Sequence, residues 1–143
     1  MHIQDQINAY LASQQEPKRT DLLALHQRML QLLPNAKLWF LDGTDESGKV
    51  VSNPNIGYGQ FTIRYKDGTA KEFYQVGLSG NSKGISVYIM GLEDKQYLPQ
   101  HFTTRIGKAK VTGYCIAFNA LKDIDLPVLE EAIRYSIGQS STG

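Results

Sequence analysis

The sequence predicts a single α+β domain in which an antiparallel sheet of about five strands is covered by N- and C-terminal helices. Three observations predict it. Apolar residues recur at helical spacing up to Pro34, short β-branched and aromatic runs broken by turn residues follow, and helical spacing returns after Asp125. A chain of 143 residues also needs only one core, since a globule of this size buries about 68–70% of its unfolded surface without help from disulfides or metal.

Residues 1–16 are expected to form a peripheral helix, because Ile3, Ile7, Tyr10 and Leu11 share one face and polar residues hold the other. Pro17 breaks that pattern and suits the first turn of a second helix. From Thr20 to Leu33 a wide apolar stripe of Leu22, Leu25, His26, Met29, Leu30, Leu32 and Leu33 predicts that helix, and Pro34 stops it. "AKLWFL" (36–41) reads as a first strand, followed by the loop "DGTDESGK". Gln60–Lys66 alternates Phe61, Ile63 and Tyr65 with polar residues, Asp67-Gly68 is a hairpin turn, and Thr69–Leu78 is the returning strand. "SGNSKG" turns the chain into the strand Ile85–Met90. Glu93–Phe102 suits a short helix that Pro99 must end or kink, and 111–118, "VTGYCIAF", reads as the last strand. Asp125 as N-cap and Pro127 in the first turn open a final helix carrying Val128, Leu129, Ala132, Ile133 and Ile137 inward, and 139–143 reads as a frayed tail.

Composition narrows the function classes. Fifteen basic residues against 14 acidic ones give no excess that would draw the chain to nucleic acid or an anionic membrane. The longest apolar run falls far short of the ~18 residues a membrane helix needs, and the N-terminus has no signal-peptide core. With a single cysteine there is no internal disulfide, so a cytoplasmic protein is expected.

The candidate sites are few. "NIGYGQF" (55–61) spaces Gly57 and Gly59 like part of a dinucleotide loop, but the third glycine of that fingerprint would fall on Thr62, inside a strand with no helix behind it. The glycines read instead as the entrance to a sheet. Cys115 has no histidine linked to it by motif, and it shares a strand face with Gly113 and Ala117, which predicts a close-packed helix there and a structural thiol. Asp42, Asp45 and Glu46 lack the order of a calcium loop and read as solvated, while Asp123, Asp125, Glu130 and Glu131 gather where a helix start explains them. No nucleophile, base and stabiliser can be assembled, so no catalytic residue is assigned. "RIGKAKVTG" is the most suggestive polar segment, because Arg105, Lys108 and Lys110 on a glycine-bounded loop can hold an anion or an acidic partner. Trp39 and Tyr58, Tyr65, Tyr74, Tyr88 and Tyr114 give the sheet many rings. They either pack with hydroxyls at the rim or, if the second sheet face is open, meet a partner there, with Tyr58 and Tyr88 the candidates.

The segments "NIGYGQFTIRY", "KEFYQVGLSGNSKGISVYIMGLED" and "IGKAKVTGYCIAFNALKDIDLPVLEEAIR" resemble the YdhG-like family of bacterial domains of unknown function over roughly Pro17 to Arg134. The resemblance runs through Trp39, Gly57, Gly59, Gly77, Gly107, Lys108, Gly113, Cys115, Asp123, Asp125 and Leu126. It implies a helix-covered antiparallel sheet similar in general plan to frataxin, and it implies no catalytic residues. Through frataxin it also implies iron handling, which would need hard oxygen ligands, best supplied by Asp42, Asp45 and Glu46. The first two helices, with Asp5, Glu16 and Asp21 offset by Lys18, Arg19 and Arg28, depart from frataxin's acidic surface.

The leading expectation is therefore a small non-catalytic binding domain, cofactor-free and either monomer or homodimer. It would use the loop 104–113 and sheet aromatics to meet a protein or a small anionic ligand. A frataxin-like iron-binding chaperone is the alternative, and an uncharacterised enzyme the second alternative.

Overall fold

The computed structural model describes the backbone of residues 2–141 and the side chains of residues 2–138. Two helices come first, α1 (Ile3–Ser13) and α2 (Lys18–Leu32). Their apolar stripes do what the spacing requires: Ile7, Tyr10 and Leu11 of α1 and Leu22, Leu25, His26 and Met29 of α2 are buried. Pro17 occupies the N-cap of α2, and the carboxylate of Glu16 just before it accepts the Thr20 N–H at 2.8 Å.

The strands β1 (Leu38–Leu41), β2 (Asn55–Tyr58), β5 (Val76–Asn81), β6 (Gly84–Ile89), β7 (Lys110–Val111) and β8 (Cys115–Phe118) form one antiparallel sheet in the order β1-β2-β5-β6-β8-β7. A separate hairpin, β3 (Phe61–Arg64) with β4 (Ala70–Phe73), leaves this sheet as an arm. The α+β architecture is as the patterning predicts, with six strands and an arm where about five strands were expected. Helix α3 (Tyr97–Phe102) packs on β7 and on α4 (Leu126–Ser141). Among the described residues no helix is long and apolar enough to cross a membrane.

Four boundaries differ from the sequence reading, each for a physical reason. "NIGY" is a strand of the main sheet and not merely its entrance, and Gly59 at φ 80° turns the chain out of it. The expected returning strand 69–78 is two strands in two sheets, interrupted where Tyr74 swings across the main sheet. The expected strand 111–118 is a tight hairpin, folded over by Thr112, whose Oγ1 accepts the Cys115 N–H at 3.1 Å and whose own N–H donates to Cys115 O at 2.8 Å. Helix α3 begins at Tyr97 and not at Glu93, because Asp94 turns the chain first by accepting the Gln96 N–H at 2.9 Å. Pro99 then sits in the first turn, where its missing N–H costs no helical bond. At the other end α4 runs to Ser141, past the start of the expected tail at 139; residues 142 and 143 lie outside the described residues.

Side chains alternate across the sheet as the pleat demands. Ile56, Tyr58, Val76, Leu78, Ile85, Val87, Ile89, Ile116 and Phe118 point to the helix-covered face and form the core with Leu98, Phe102, Ile106, Leu129, Ala132 and Ile133. On the opposite face one row runs Trp39–Gly57–Gly77–Tyr88–Cys115 through successive strand pairs. Gly57 and Gly77 stand side by side in that row, and the Tyr74 ring lies on both: a Cβ on Gly57 would come within 2.5 Å of it, and one on Gly77 within 2.7 Å. Phe73 stacks on Tyr74 at 4.2 Å and Trp39 meets Phe73 edge-on at 6.0 Å, so this end of the face is sealed by three rings.

Candidate functional site

A cleft of about 440 Å³ opens at the end of the sheet where the β5–β6 turn, the loop before β7 and the segment after β8 come together. Three cations rim it: Lys83 from the turn, Lys108 from the loop and Lys110 from β7. Asn119 and Asp123 line it as well, together with Ala109, Ala117 and Phe118. Each lysine-bearing loop is closed down by a glycine beside the lysine. Gly84, at φ 139°, lies so near the chain after β8 that a Cβ would come 2.3 Å from Phe118 O. Gly107, at φ 104°, would bring a Cβ 2.5 Å from Asp123 O, and its neighbour Lys108 donates its N–H to that same carbonyl at 2.9 Å. No residue with a side chain fits either place without moving the backbone. The glycines thus set Lys83 and Lys108 against one short stretch, 118–124.

The charges in the cleft are unspent. Among the described residues none of the three ammonium groups takes part in an ion pair, and the Asn119 amide and Asp123 carboxylate make no side-chain hydrogen bond. Exposed lysines that stand outside any ion pair around one concavity attract anions. A second hollow of about 170 Å³ adjoins the first through Lys83 and Asn119. Its own charged groups are already used in fastening the fold, since Lys18 Nζ donates to Asn81 O and Asp21 accepts the Leu121 N–H at 3.1 Å.

The residues singled out from the sequence separate. Lys108 and Lys110 meet in the cleft. Arg105 does not join them: its guanidinium makes a two-pronged pair with Glu131 on α4, both contacts at 2.7 Å, and the pair holds the Glu131 carboxyl below its usual range. Tyr58 is fully buried, so it is removed from any binding face. Its hydroxyl meets His26 Nδ1 of α2 at 2.6 Å, and burial pushes the phenol pKa up, which keeps the proton on oxygen. Tyr88 is half-buried on the second sheet face, paired with Cys115 and beside Ser86.

Cys115 lies on the face away from the helices α1 and α2, so the close-packed helix expected over Gly113 and Ala117 is not there; Gly113 instead admits the Lys95 backbone, whose O would be 2.9 Å from a Cβ. Burial raises the thiol pKa, against smaller opposing effects of Ser86 and Lys110. Asp42 and Asp45 spend their carboxylates on their own turn. Asp42 accepts from Thr44 N–H and hydroxyl, Asp45 from the N–H groups of Ser47 and Lys49 and the Ser47 hydroxyl, and these bonds lower both pKa values. With Glu46 they lie exposed, and among the described residues no three His, Cys, Asp or Glu side chains stand together as a metal-holding group.

Lys83 and Asn119 are site residues that the sequence reading missed, and so is Asp123, which lines the cleft and not merely the start of α4 as that reading had it. A local signal existed: Lys83-Gly84 and Gly107-Lys108 each put a lysine beside a glycine, though nothing local says that the two loops meet. Comparison of the chain with protein-family models, with curated proteins and with solved structures finds no match, so the cleft's own geometry must carry the functional reading.

Proposed function

We propose that this protein is a small binding domain that takes an anionic ligand in the lysine cleft at the end of its sheet. The observation that carries this reading is the convergence of Lys83, Lys108 and Lys110, none of them in an ion pair among the described residues, on one concavity. At about 440 Å³ the cleft falls within the range of roughly 300–1,000 Å³ usual for small-molecule sites, which favours a small ligand over the acidic surface of a protein. The iron alternative has less support, because Asp42 and Asp45 already serve as acceptors in their own turn.

Titration of isotopically labelled protein with inorganic pyrophosphate, followed by amide chemical shifts, tests the proposal. Shifts confined to residues 81–85, 107–110 and 117–123, and lost in Lys108→Glu/Lys110→Glu, are expected. No shift, or shifts scattered over the surface, would overturn it.

A further inference from the structure

Resting on the anion-binding reading, we propose that the ligand is a phosphorylated polyol, such as a sugar phosphate, and not a bare anion or a nucleotide. Among the described residues that line the cleft, Asp123 brings the one carboxylate, and it carries the argument. Asp123 shares the cleft with Lys83, Lys108 and Lys110, which leaves two positive charges in excess, enough to match one phosphomonoester dianion. A carboxylate beside an anion site weakens it by like-charge repulsion, unless the ligand brings donors that the carboxylate can accept. Hydroxyl groups are such donors. The Asn119 amide, without a side-chain partner among the described residues, adds a donor and an acceptor to the same cleft, which is what a polyol chain uses.

Among the described lining residues the cations are all lysines, which bind phosphate as point charges, and the guanidinium of nearby Arg105 is held by Glu131. That arrangement suits the tetrahedral phosphate more than a planar carboxylate. A nucleotide base would need a ring to lie on, and among the described lining residues the one aromatic, Phe118, is 5% exposed. The cleft therefore offers a phosphate pole at the lysines and a hydroxyl pole at Asp123 and Asn119.

Calorimetric titration with glucose 6-phosphate, glucose, inorganic phosphate and AMP checks this. Glucose 6-phosphate is expected to bind about tenfold or more tighter than inorganic phosphate, with AMP weaker and free glucose silent. In Asp123→Asn the preference for glucose 6-phosphate over phosphate should shrink several-fold while phosphate binding holds or improves; Lys83→Gln/Lys108→Gln should weaken both. All three positions are on the protein surface or its rim, and circular dichroism confirms folding of each variant. Equal affinity for phosphate and glucose 6-phosphate, tighter binding of AMP, or an unchanged preference in Asp123→Asn would overturn the polyol assignment while leaving the anion site standing. Silence of every phosphate-bearing probe would overturn both.

Discussion

Tyr58 and His26 form a buried side-chain pair that joins α2 to the sheet through a hydrogen bond, and its chemistry sets a pH dependence. Burial lowers the His26 pKa, so the folded protein keeps the imidazole neutral while the unfolded chain protonates it near 6.5. The folded pKa is the lower of the two. Stability is thus complete above about pH 6.5 and is lost as pH falls from there toward the folded value, because the unfolded state then binds the extra proton. Urea midpoints measured from pH 7.5 down to 5.5, above the range where carboxylates titrate, should fall in the wild type and stay flatter in His26→Gln. Tyr58→Phe should cost about 1–3 kcal/mol, the cost of an unsatisfied buried acceptor, read as a lower urea midpoint with an unchanged slope. The inward position of Tyr58 was legible after all: it stands two residues from Ile56 in a strand, and residues two apart share a face. What hid it was reading Gly57 and Gly59 as the entrance to the sheet, when residues 55–58 are already a strand within it.

Between elements, the decisive contacts are close approaches that only small residues allow. Gly77→Ala puts a methyl into the Tyr74 ring and should destabilise the domain by about 1–3 kcal/mol, as overpacking does. The effect should shrink in a Tyr74→Ala background, and a double-mutant cycle by urea denaturation measures that coupling. The helix layer has its own tie, in which Arg28 of α2 grips Glu130 of α4 through contacts at 2.7 and 2.8 Å. The Glu130 side chain is only 7% exposed, while that of Arg28 is 42% exposed, and Arg134 stands 3.8 Å away as a second cation. Arg28→Ala should cost about 1–3 kcal/mol, less than the 3–5 of a fully buried pair, and removing Glu130 as well should add less than its single cost. Calorimetric Tm values across the four proteins check it. Neither tie could be read from a single segment, since glycine spacing and helical charges look the same whether or not a ring or a second helix lies above them.

At the scale of the whole molecule, the six-stranded sheet and its helices should unfold as one unit, with the β3–β4 arm opening first. The arm pairs only with itself, and all its strand residues are exposed or half-exposed, whereas nearly all of β5 and β6 is buried. Native-state hydrogen exchange should therefore show amides 61–73 exchanging well before those of 76–89; equal protection of both would contradict it. The sequence by itself determined the α+β class, the helices α2 and α4 and the strand β6, because each is written in a periodicity or a cap within one segment: the leucine stripe, Asp125 with its Oδ1 on Val128 N–H at 3.3 Å, the alternation of Ile85, Val87 and Ile89. Only the tertiary structure decided that residues 69–78 divide between two sheets, that Arg105 is claimed by Glu131, and that Lys83 comes to stand with Lys108 and Lys110. Those outcomes depend on which distant groups meet, and a charge or a strand edge carries no local mark of its partner until packing has chosen one.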